Sequence, residues 1–362
     1  MSKVLVAMSG GVDSSVTLLK VLEMGHEPIG ITMKLWEYKN VGGNNLQDNN
    51  CCAIESINNA KLVCERMGVP HYTVDFTGDF KEKVVEDFVS EYQAGRTPNP
   101  CVRCNSYVKW DTFINQADKL GADYIATGHY AIIEKNESNE YYIKRGKDIV
   151  KDQSYVLWGV TQECLKRTIF PMGKFHKKDI KQMAIDRGYV DLAKKSESYE
   201  ICFIPDNDYR GFLKRRVVGL EEKVKGGDFV SVSGEVLGQH DGYPFYTIGQ
   251  RKLGVSFGNE PTYVVGIKEK ENIVVVGTKE DLKKQEMFVR QINYVKYPKI
   301  EDGTQLLVKI RYKHSGEMAT VFNEKGNIKV LFHNKVQGIA PGQSAAFYEG
   351  NDLVAGGFIM KT

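Results

Sequence analysis

Apolar and polar positions in the first half of the chain follow two alternating periods. Residues 3–8, KVLVAM, form a short apolar run, and after the turn SGGVDSS apolar residues recur at helical spacing as far as Gly25, a residue typical of a helix C-terminus. Further strand-like and helix-like stretches then alternate: strands at 28–36, 69–76 and 123–131, and helices at about 52–67, 79–94 and 106–120. Strands that alternate with helices predict a mostly parallel sheet covered on both faces. The first half is therefore predicted to be an α/β domain.

The pattern changes from about residue 210 onward, where short β-prone runs are broken by glycines. The runs lie at 226–238, 243–258, 262–277, 305–322 and 327–359, and strict alternation is clearest in QLLVKIRY and NIKVLFHN. This texture predicts a small linking domain followed by a C-terminal antiparallel barrel or sandwich, and of these two we expect the β-barrel. We expect three domains, at 1–208, 209–280 and 281–362.

Composition limits the classes of protein that this chain can be. A length of 362 residues exceeds one ordinary core, and 42% hydrophobic with 26% charged residues is typical of a globular protein. No apolar run approaches the roughly 18 residues that a membrane helix needs, and the N-terminal apolar run is too short for a signal peptide. We therefore expect a cytoplasmic protein with no membrane partner. Because the net charge is only +3, an RNA partner would have to be bound by a local patch.

The turn Ser9–Ser15, SGGVDSS, carries the clearest chemistry. It lies between a predicted strand and a predicted helix, where backbone amides at the helix N-terminus and serine hydroxyls can bind phosphate oxygens. The chain has no G-x-x-x-x-G-K-[ST] motif, so a Walker-type phosphate site is not indicated. The string resembles the signature of the PP-loop ATP pyrophosphatases, which cleave ATP between the α and β phosphates and adenylate an acceptor oxygen.

The seven cysteines are the second chemical feature. An odd number without an export signal favours individual reactive or ligating thiols over a disulfide framework. Cys101 and Cys104 stand in TPNPCVRCN, and the spacing Cys-x-x-Cys is compatible with zinc, an iron–sulfur cluster, dithiol chemistry or buried thiols. Cys202, in the β-prone stretch ICFIP, could equally be a core thiol. We expect Cys64 and Cys164 to be structural, favour a packing role for Cys51 and Cys52, and assign no role to His129.

Further blocks accompany the glycine turn in a fixed order along the chain. They are ITMK at 31–34, GRTPNPCVRCN at 95–105, ATGHYA at 126–131, KDQSY at 151–155, YEICFIP at 199–205 and YTIGQRKLG at 246–254. Together they resemble the bacterial tRNA-specific 2-thiouridylases, which replace the 2-oxygen of the wobble uridine 34 with sulfur in tRNAs for lysine, glutamate and glutamine. The resemblance covers essentially the whole chain and implies an adenine nucleotide alpha hydrolase-like first domain that uses ATP with Mg²⁺.

The resemblance also implies roles for particular residues. Cys104 matches the catalytic cysteine, and Cys202 matches the cysteine that carries a persulfide. Met33 and Gly128 match positions that flank the adenosine, and the phosphate-binding loop comprises Ala7, Met8, Ser9, Gly10, Gly11, Val12, Asp13 and Ser14. The segment that faces the target base comprises Asn99, Pro100 and Cys101, and the further tRNA-contacting residues are Lys151, Asp152, Gln153, Arg311 and Tyr312. A cysteine desulfurase or a sulfur-relay protein would supply the sulfur.

Cys101 departs from the family pattern, because many members have aspartate there. A thiol cannot simply take over the acid–base duty of a carboxylate, so two mechanisms stay open. In the first, a persulfide on Cys202 delivers sulfur and Cys104 resolves the intermediate through a disulfide. In the second, Cys101, Cys104 and Cys202 hold a [4Fe–4S] cluster with one open iron that binds hydrosulfide. An amide-forming PP-loop synthetase is the alternative enzyme class, since it would share SGGVDSS but would require neither three cysteines nor a tRNA-contacting module.

Overall fold

The computed structural model describes residues 1–36, 54–195, 201–256 and 260–361. The chain divides into two compact units. The first comprises Met1–Val84, Cys101–Asn207 and Asn351–Val354, and the second comprises Val85–Pro100, Asp208–Gly350 and Ala355–Thr362. Among the described residues, no helix combines the length and the apolar character that crossing a membrane requires. Cys51 and Cys52 lie outside the described ranges.

A parallel sheet forms the centre of the first unit, as the alternating sequence pattern predicted. Its strands occur in the order β3-β2-β1-β4-β7, and every pairing is parallel. The strands are β1 (Lys3–Ala7), β2 (Glu27–Lys34), β3 (His71–Asp75), β4 (Tyr124–Ala126) and β7 (Thr168–Ile169). Helix α1 (Val12–Glu23) connects β1 to β2, and helix α2 (Ile54–Arg66) precedes β3. Gly25 follows α1 with a φ of +79°, the left-handed C-terminal residue that the sequence predicted.

Two long helical segments follow β3, and each contains π-helical turns. The first consists of α3 (Thr77–Phe80), a π-helix (Lys81–Val85) and α4 (Glu86–Gln93). The second consists of α5 (Pro100–Arg103), a π-helix (Cys104–Thr112) and α6 (Phe113–Lys119). This second segment begins about six residues earlier than the sequence pattern predicted. Pro100 explains the early start, because a proline is well suited to the first position of a helix.

Helix α1 packs its two apolar sides into two different parts of the core. Leu18 and Val21 lie in a buried cluster with Val4 and Val6 of β1 and with Cys64 of α2. Each fully buried aliphatic side chain of this kind stabilises the fold by roughly 1.5–3 kcal/mol. On its other side, α1 contributes Val12 and Val16 to a second buried cluster, which also contains Tyr130, Met172 and Ile180. The helix that follows the glycine turn is therefore buried along both sides.

The remaining elements of the first unit follow β4. A hairpin of β5 (Ala131–Lys135) and β6 (Tyr141–Arg145) was not anticipated from the sequence, and β6 pairs with Asp352 and Leu353. Short 3₁₀ turns span Ser154–Leu157 and Pro171–Lys174, and the helices are α7 (Gln162–Lys166), α8 (Lys177–Asp186) and α9 (Val190–Lys194).

The second unit contains a small mixed sheet in the order β10-β11-β8-β9. Its elements are α10 (Tyr209–Arg216), α11 (Leu220–Val224), β8 (Gly227–Ser231), β9 (Val236–His240), β10 (Tyr263–Lys268) and β11 (Ile273–Gly277), with a 3₁₀ turn at Glu269–Glu271. The described part of 243–258 forms a 3₁₀ turn at Tyr243–Phe245 and then an irregular loop, so the β-prone pattern there was misleading. Left-handed residues at Gly249, Lys252 and Gly254 interrupt this loop, while its apolar side chains pack on the sheet.

The C-terminal part of the second unit is an antiparallel barrel, as predicted. Its strands are β12 (Lys283–Tyr294), β13 (Thr304–Lys309), β14 (Glu317–Glu324), β15 (Asn327–Gln337), β16 (Ser344–Glu349) and β17 (Asp352–Ile359). They pair in the order β12-β15-β14-β13-β16-β17, and β17 pairs with β12 to close the barrel. Inward residues such as Val289, Val308, Val330 and Phe347 are fully buried or nearly so. Closure leaves the six-stranded sheet without a free edge.

His129 gives the first unit a pH-dependent stability that can be measured. The ring packs against both Trp110 and Phe170, with Nδ1 2.7 Å from the Thr127 hydroxyl. Burial, followed by the positive charge of Lys109, lowers the pKa of His129 well below its usual value. Because the unfolded chain protonates this histidine near pH 6.5 while the folded chain does not, stability falls as the pH drops below about 6.5, by at most about 1.4 kcal/mol per pH unit.

We expect the substitution His129→Gln to flatten this acid dependence. Urea unfolding at pH 7.5, 6.5 and 5.5 should show wild-type stability falling more steeply than that of the variant. Parallel pH profiles for the two proteins would contradict the assignment of a neutral buried imidazole.

Candidate active site

The SGGVDSS turn forms the link between the end of β1 and the start of α1. Gly11 is the N-terminal boundary residue of α1 in an extended conformation, and the hydroxyl groups of Ser14 and Ser15 both donate to its carbonyl, each at 3.0 Å. Ser9 donates from its backbone N–H to Ser14 Oγ at 3.2 Å. The loop is therefore held by its own serines, while the first turn of α1 presents backbone N–H groups suited to a phosphate.

Gly10 can only be glycine in this arrangement. Its φ of +72° lies in the left-handed region, and a Cβ atom would lie 2.1 Å from the carbonyl oxygen of Ser56. Helix α2 therefore packs directly against the backbone of the phosphate loop.

Asp13, in the first turn of α1, is held by two side chains from distant parts of the unit. Lys177 Nζ lies 2.8 Å from Oδ1 and 2.7 Å from Oδ2, and the Tyr130 hydroxyl donates to Oδ1 at 2.7 Å. The Lys177 side chain is only 10% exposed, so its charge needs an anionic partner. The Lys177 ammonium group also lies 5.6 Å from the centre of the Tyr130 ring.

Lys177 is a site residue that the sequence analysis missed. It occupies the first position of α8, where a positive charge is unfavourable with respect to the helix dipole. The sequence analysis predicted no helix at this position, and nothing in the pattern indicated that the partner of Lys177 would be Asp13, 164 residues away.

Of the two predicted adenosine-flanking residues, Gly128 contacts this loop directly, and Met33 follows a residue that is bonded to it. Gly128 approaches the loop so closely that a Cβ atom would lie 3.1 Å from Asp13 Cβ and 3.3 Å from the Ser14 amide nitrogen. Met33 is half-buried on β2, and its neighbour Thr32 donates from Oγ1 to the carbonyl of Met8 at 2.9 Å. Met33 thus lies near the end of β2, and Gly128 lies two residues after the end of β4.

The predicted tRNA-contacting segment at 151–153 is connected to the same network. Gln153 and Tyr130 exchange two hydrogen bonds of 2.9 Å, one from each backbone N–H. The Asp152 carboxylate is buried and accepts from the Gly146 and Ser154 amides and from the Ser154 hydroxyl. Asp152 therefore shapes the backbone of this segment, and Lys151, which is half-buried, is the basic side chain there.

Cys101 and Cys104 lie in a helical segment that begins before residue 106, where the sequence pattern had predicted the helix to start. Cys101 is in α5 and exposed, whereas Cys104 begins the following π-helix and is buried. Residues three positions apart on a helix are neighbours on one side of it. π-Helical turns are rare in proteins, and those that do occur are often found at functional sites. The neighbouring Asn105 donates from Nδ2 to the Val156 carbonyl at 2.9 Å, so this helix is linked to the 3₁₀ turn that follows residues 151–153.

Cys202 lies in a turn and not in a strand, because the segment from 201 to 207 has no sheet partner in the structure. It is half-buried, and the next residue, Phe203, packs edge-on against Phe80 with 5.6 Å between ring centres. Among the described residues, no three histidine, cysteine or acidic side chains are grouped so that they could hold a metal ion. Cys101, Cys104 and Cys202 therefore do not form a ready cluster site in this conformation.

Two further cysteines lie in helices, where the sequence placed them. Cys64 is fully buried, and burial raises the pKa of its thiol to about 12. Burial also raises the pKa of Cys164. Neither thiol is poised to form a thiolate at neutral pH.

Arg311 and Tyr312 lie in a turn after β13 of the barrel, although the alternating pattern had suggested a strand. The Arg311 guanidinium donates to the Gln337 carbonyl at 3.1 Å, and the Tyr312 side chain is partly exposed. An arginine beside an exposed aromatic ring is the combination that binds an unpaired base and its phosphate.

A parallel α/β sheet with an SGGVDS loop at the carboxyl end of β1, followed by a mixed sheet and a closed barrel, defines the class of PP-loop enzymes with an appended β-barrel. Family models agree along the chain: the tRNA methyl transferase HUP domain matches residues 2–206, the tRNA methyl transferase PRC-barrel domain matches 211–278 and the aminomethyltransferase beta-barrel domain matches 284–359.

Curated relatives named tRNA-specific 2-thiouridylase match almost the full length. Identity is 51% for the protein of Cytophaga hutchinsonii, with 99% of this chain and 98% of the relative covered, and 52% for that of Amoebophilus asiaticus, with 99% and 96% covered. The relative from Salinibacter ruber is 48% identical, with 99% and 94% covered. The chain belongs to the tRNA-specific 2-thiouridylase family.

The contact between Lys177 and Asp13 predicts a specific effect on nucleotide binding. The substitution Lys177→Met removes a positive charge beside the phosphate loop and leaves the Asp13 carboxylate without its ion partner. We expect the Kd for ATP to rise about tenfold or more, since loss of a hydrogen bond between charged groups costs about 1.5–3 kcal/mol. Isothermal titration or fluorescence binding measures this change.

The matched control is Lys178→Met, which alters the next residue, an exposed lysine of the same helix. Its Kd for ATP should stay close to that of the wild type. Equal Kd values for the two variants would show that the buried ion pair does not support nucleotide binding.

Proposed function

We propose that this protein is a tRNA-uridine 2-sulfurtransferase that converts wobble uridine 34 to 2-thiouridine. The observation that carries the proposal is the full-length match to tRNA-specific 2-thiouridylases together with an intact SGGVDS loop. Fold alone would not support an activity, because one fold hosts many reactions. Here the chemistry of the loop and of the cysteines agrees with the activity of the relatives.

ATP with Mg²⁺ activates the uridine in the first step. The phosphate loop from Ala7 to Ser14 binds the triphosphate through backbone N–H groups and serine hydroxyls, while Met33 and Gly128 border the adenosine. The uridine O2 attacks the α-phosphorus, pyrophosphate leaves, and the oxygen becomes part of an adenylate that can leave as AMP. Lys177 and Tyr130 fix Asp13 in the loop during this step.

A persulfide on Cys202 supplies the sulfur in the second step. Its terminal sulfur attacks C2 of the uridine and AMP leaves, which gives a disulfide between the base and Cys202. The thiolate of Cys104 then attacks the Cys202 sulfur, so the thiolated base is released and a Cys104–Cys202 disulfide forms. A thiol reductant restores both cysteines before the next turnover.

A [4Fe–4S] cluster held by Cys101, Cys104 and Cys202 is the alternative sulfur carrier. The arrangement of the described residues does not gather these three thiols as a metal-binding group, so we route no step through a cluster. The persulfide route needs only Cys104 and Cys202, whose roles match the family. Cys101 is then a neighbour that shifts the pKa of a reacting thiol.

The partners follow from the same reaction. We propose that the substrates are tRNAs for lysine, glutamate and glutamine and that a cysteine desulfurase, directly or through a relay protein, loads Cys202. Asn99, Pro100 and Cys101 face the target base, and Lys151 to Gln153 with Arg311 and Tyr312 contact the tRNA. The reaction takes place in the cytoplasm, and we propose domain boundaries at 1–208, 209–280 and 281–362. An amide-forming synthetase is not favoured, since the relatives match through the C-terminal barrel as well as the PP-loop domain.

Cysteine variants test the sulfur step. We expect Cys104→Ser and Cys202→Ser to abolish thiolation while ATP binding is retained, because each removes a sulfur that takes part in the transfer. Cys101→Ser should lose about tenfold or less, the effect of roughly one pKa unit on a neighbouring thiol. Mass spectrometry of nucleosides from tRNA incubated with ATP and a sulfur donor gives the readout, and Cys164→Ala is the control for a buried thiol outside the reaction.

Metal content separates the two sulfur carriers. Protein purified without oxygen should contain no stoichiometric iron or acid-labile sulfide and should still thiolate tRNA with a persulfide donor. If activity instead follows iron content and Cys101→Ser is as inactive as Cys104→Ser, the persulfide route is wrong.

A further inference from the structure

The segment that precedes Cys101 is attached to the barrel by both its side chains and its backbone. We propose that the ion pair between the buried Glu91 carboxylate and the partly exposed Arg96, together with the Gln343 amide, forms a brace that positions the base-facing residues Asn99 and Pro100. The proposal deepens the thiolation function and rests on it. All the contacts that support it lie within the second unit of the fold.

The first arm of the brace is the ion pair at the end of α4. Arg96 donates from Nε to Glu91 Oε2 at 2.7 Å and from Nη2 to Oε1 at 2.5 Å, so the guanidinium binds the carboxylate in a bidentate manner. Arg290 of β12 lies 3.8 Å from the same carboxylate, whose side chain is 9% exposed. The Arg96 amide also donates to the Glu91 carbonyl at 2.9 Å. The chain thus leaves the helix in one fixed direction.

The second arm is the turn between β15 and β16. Thr97 donates from its N–H to the Pro341 carbonyl at 2.8 Å, and Gln343 Nε2 donates to the carbonyls of Thr97 at 3.2 Å and Pro98 at 2.8 Å. The turn itself is fixed, because the backbones of Gly342 and Gln343 bond to Ile359 of β17. A single barrel side chain therefore fixes two successive carbonyls next to Asn99.

Gly342 shows how closely the two arms approach each other. Its φ is +89°, and a Cβ atom there would lie 2.8 Å from the Thr97 carbonyl oxygen and 2.9 Å from Glu91 Oε2. The absence of a side chain lets the barrel turn touch both the ion pair and the loop.

This arrangement predicts an effect on the reaction rate rather than on folding. A fixed backbone at Thr97 and Pro98, with prolines at 98 and 100, leaves Asn99 little freedom. A misplacement of about 1 Å in a reacting group can cost about a hundredfold in rate. Loss of either arm should therefore lower kcat for thiolation while the nucleotide site, which lies in the other unit, keeps its affinity.

The test uses two variants that preserve size. Glu91→Gln removes the charge of the first arm, and Gln343→Glu replaces the amide donors of the second arm by an acceptor. We expect each to lower kcat by about 10–100-fold, with the Kd for tRNA and for ATP within about threefold of wild type, in protein that is still folded at the assay temperature. The matched control is Glu86→Gln, because Glu86 is on the same helix and pairs with Arg216 at the surface.

The outcomes separate the alternatives. If Gln343→Glu weakens tRNA binding in proportion to its loss of rate, Gln343 acts as a direct contact and the brace is wrong. The ion pair is only structural if the activity of Glu91→Gln falls in step with its melting temperature, or if Glu91→Gln loses no more activity than Glu86→Gln does.

A milder variant, Arg96→Lys, keeps the charge but loses the bidentate geometry, and it should give the same rate defect in a protein that still folds. If the wild-type protein itself forms no 2-thiouridine, the proposed function fails, whereas active wild-type and equally active variants refute only the brace.

The double variant Glu91→Gln with Gln343→Glu tests whether the arms act as one unit. Its loss of kcat should be clearly smaller than the product of the two single losses, since a loop that one substitution has released cannot be released again. Strictly multiplicative losses would contradict a shared brace.

Discussion

The ion pair between Asp13 and Lys177 is the contact on which the organisation of the first unit depends. It joins the first turn of α1 to the first turn of α8, and Tyr130 adds a third element through its hydroxyl group. Because the Tyr130 N–H also donates to Gln153 Oε1 and the Gln153 N–H donates to the Tyr130 carbonyl, one short chain of contacts runs from the phosphate loop to the segment proposed to contact tRNA. A buried lysine without an anion would be costly, so these contacts depend on one another.

The helical position of the cysteines changes how the site is understood. In a flexible loop, Cys101 and Cys104 could turn independently, but in a helix that begins at Pro100 they are neighbours in a fixed frame. Cys104 is buried among well-packed side chains while Cys101 is exposed, so the two thiols have different environments despite their spacing. This difference is compatible with the separate roles proposed for them, in which Cys104 forms a disulfide with Cys202 and Cys101 takes no direct part.

The second unit combines the barrel with the residues that lead into this helix. Glu91, Arg96 and Thr97 are far from Gly342 and Gln343 in sequence, yet they are bonded or in close contact in the fold. The barrel is closed, and its turn between β15 and β16 bonds to the backbone of Thr97 and Pro98. This is the support on which the proposed positioning of Asn99 and Pro100 depends.

Local patterns along the chain were sufficient to predict several features. Periodicity predicted the parallel sheet, the helix after the glycine turn with Gly25 at its end, and the C-terminal barrel, because these follow from short-range alternation of apolar residues. The same local signals were wrong in the described part of 243–258, at Cys202 and at Tyr312, where β-prone residues lie in loops or turns. Packing against distant elements decides the conformation there, and β-propensity depends strongly on such context.

The sequence by itself determined the chemical groups of this protein, namely an SGGVDS loop, three candidate thiols and the order of motifs that marks its family. Only the tertiary structure decided which groups meet: Lys177 with Asp13, Gly10 with Ser56, and Gln343 with the carbonyls of Thr97 and Pro98. The physical reason is that these contacts join residues separated by 46 to 246 positions. No local periodicity records such pairs, because they arise only when buried charges and backbone carbonyls find partners in the packed fold.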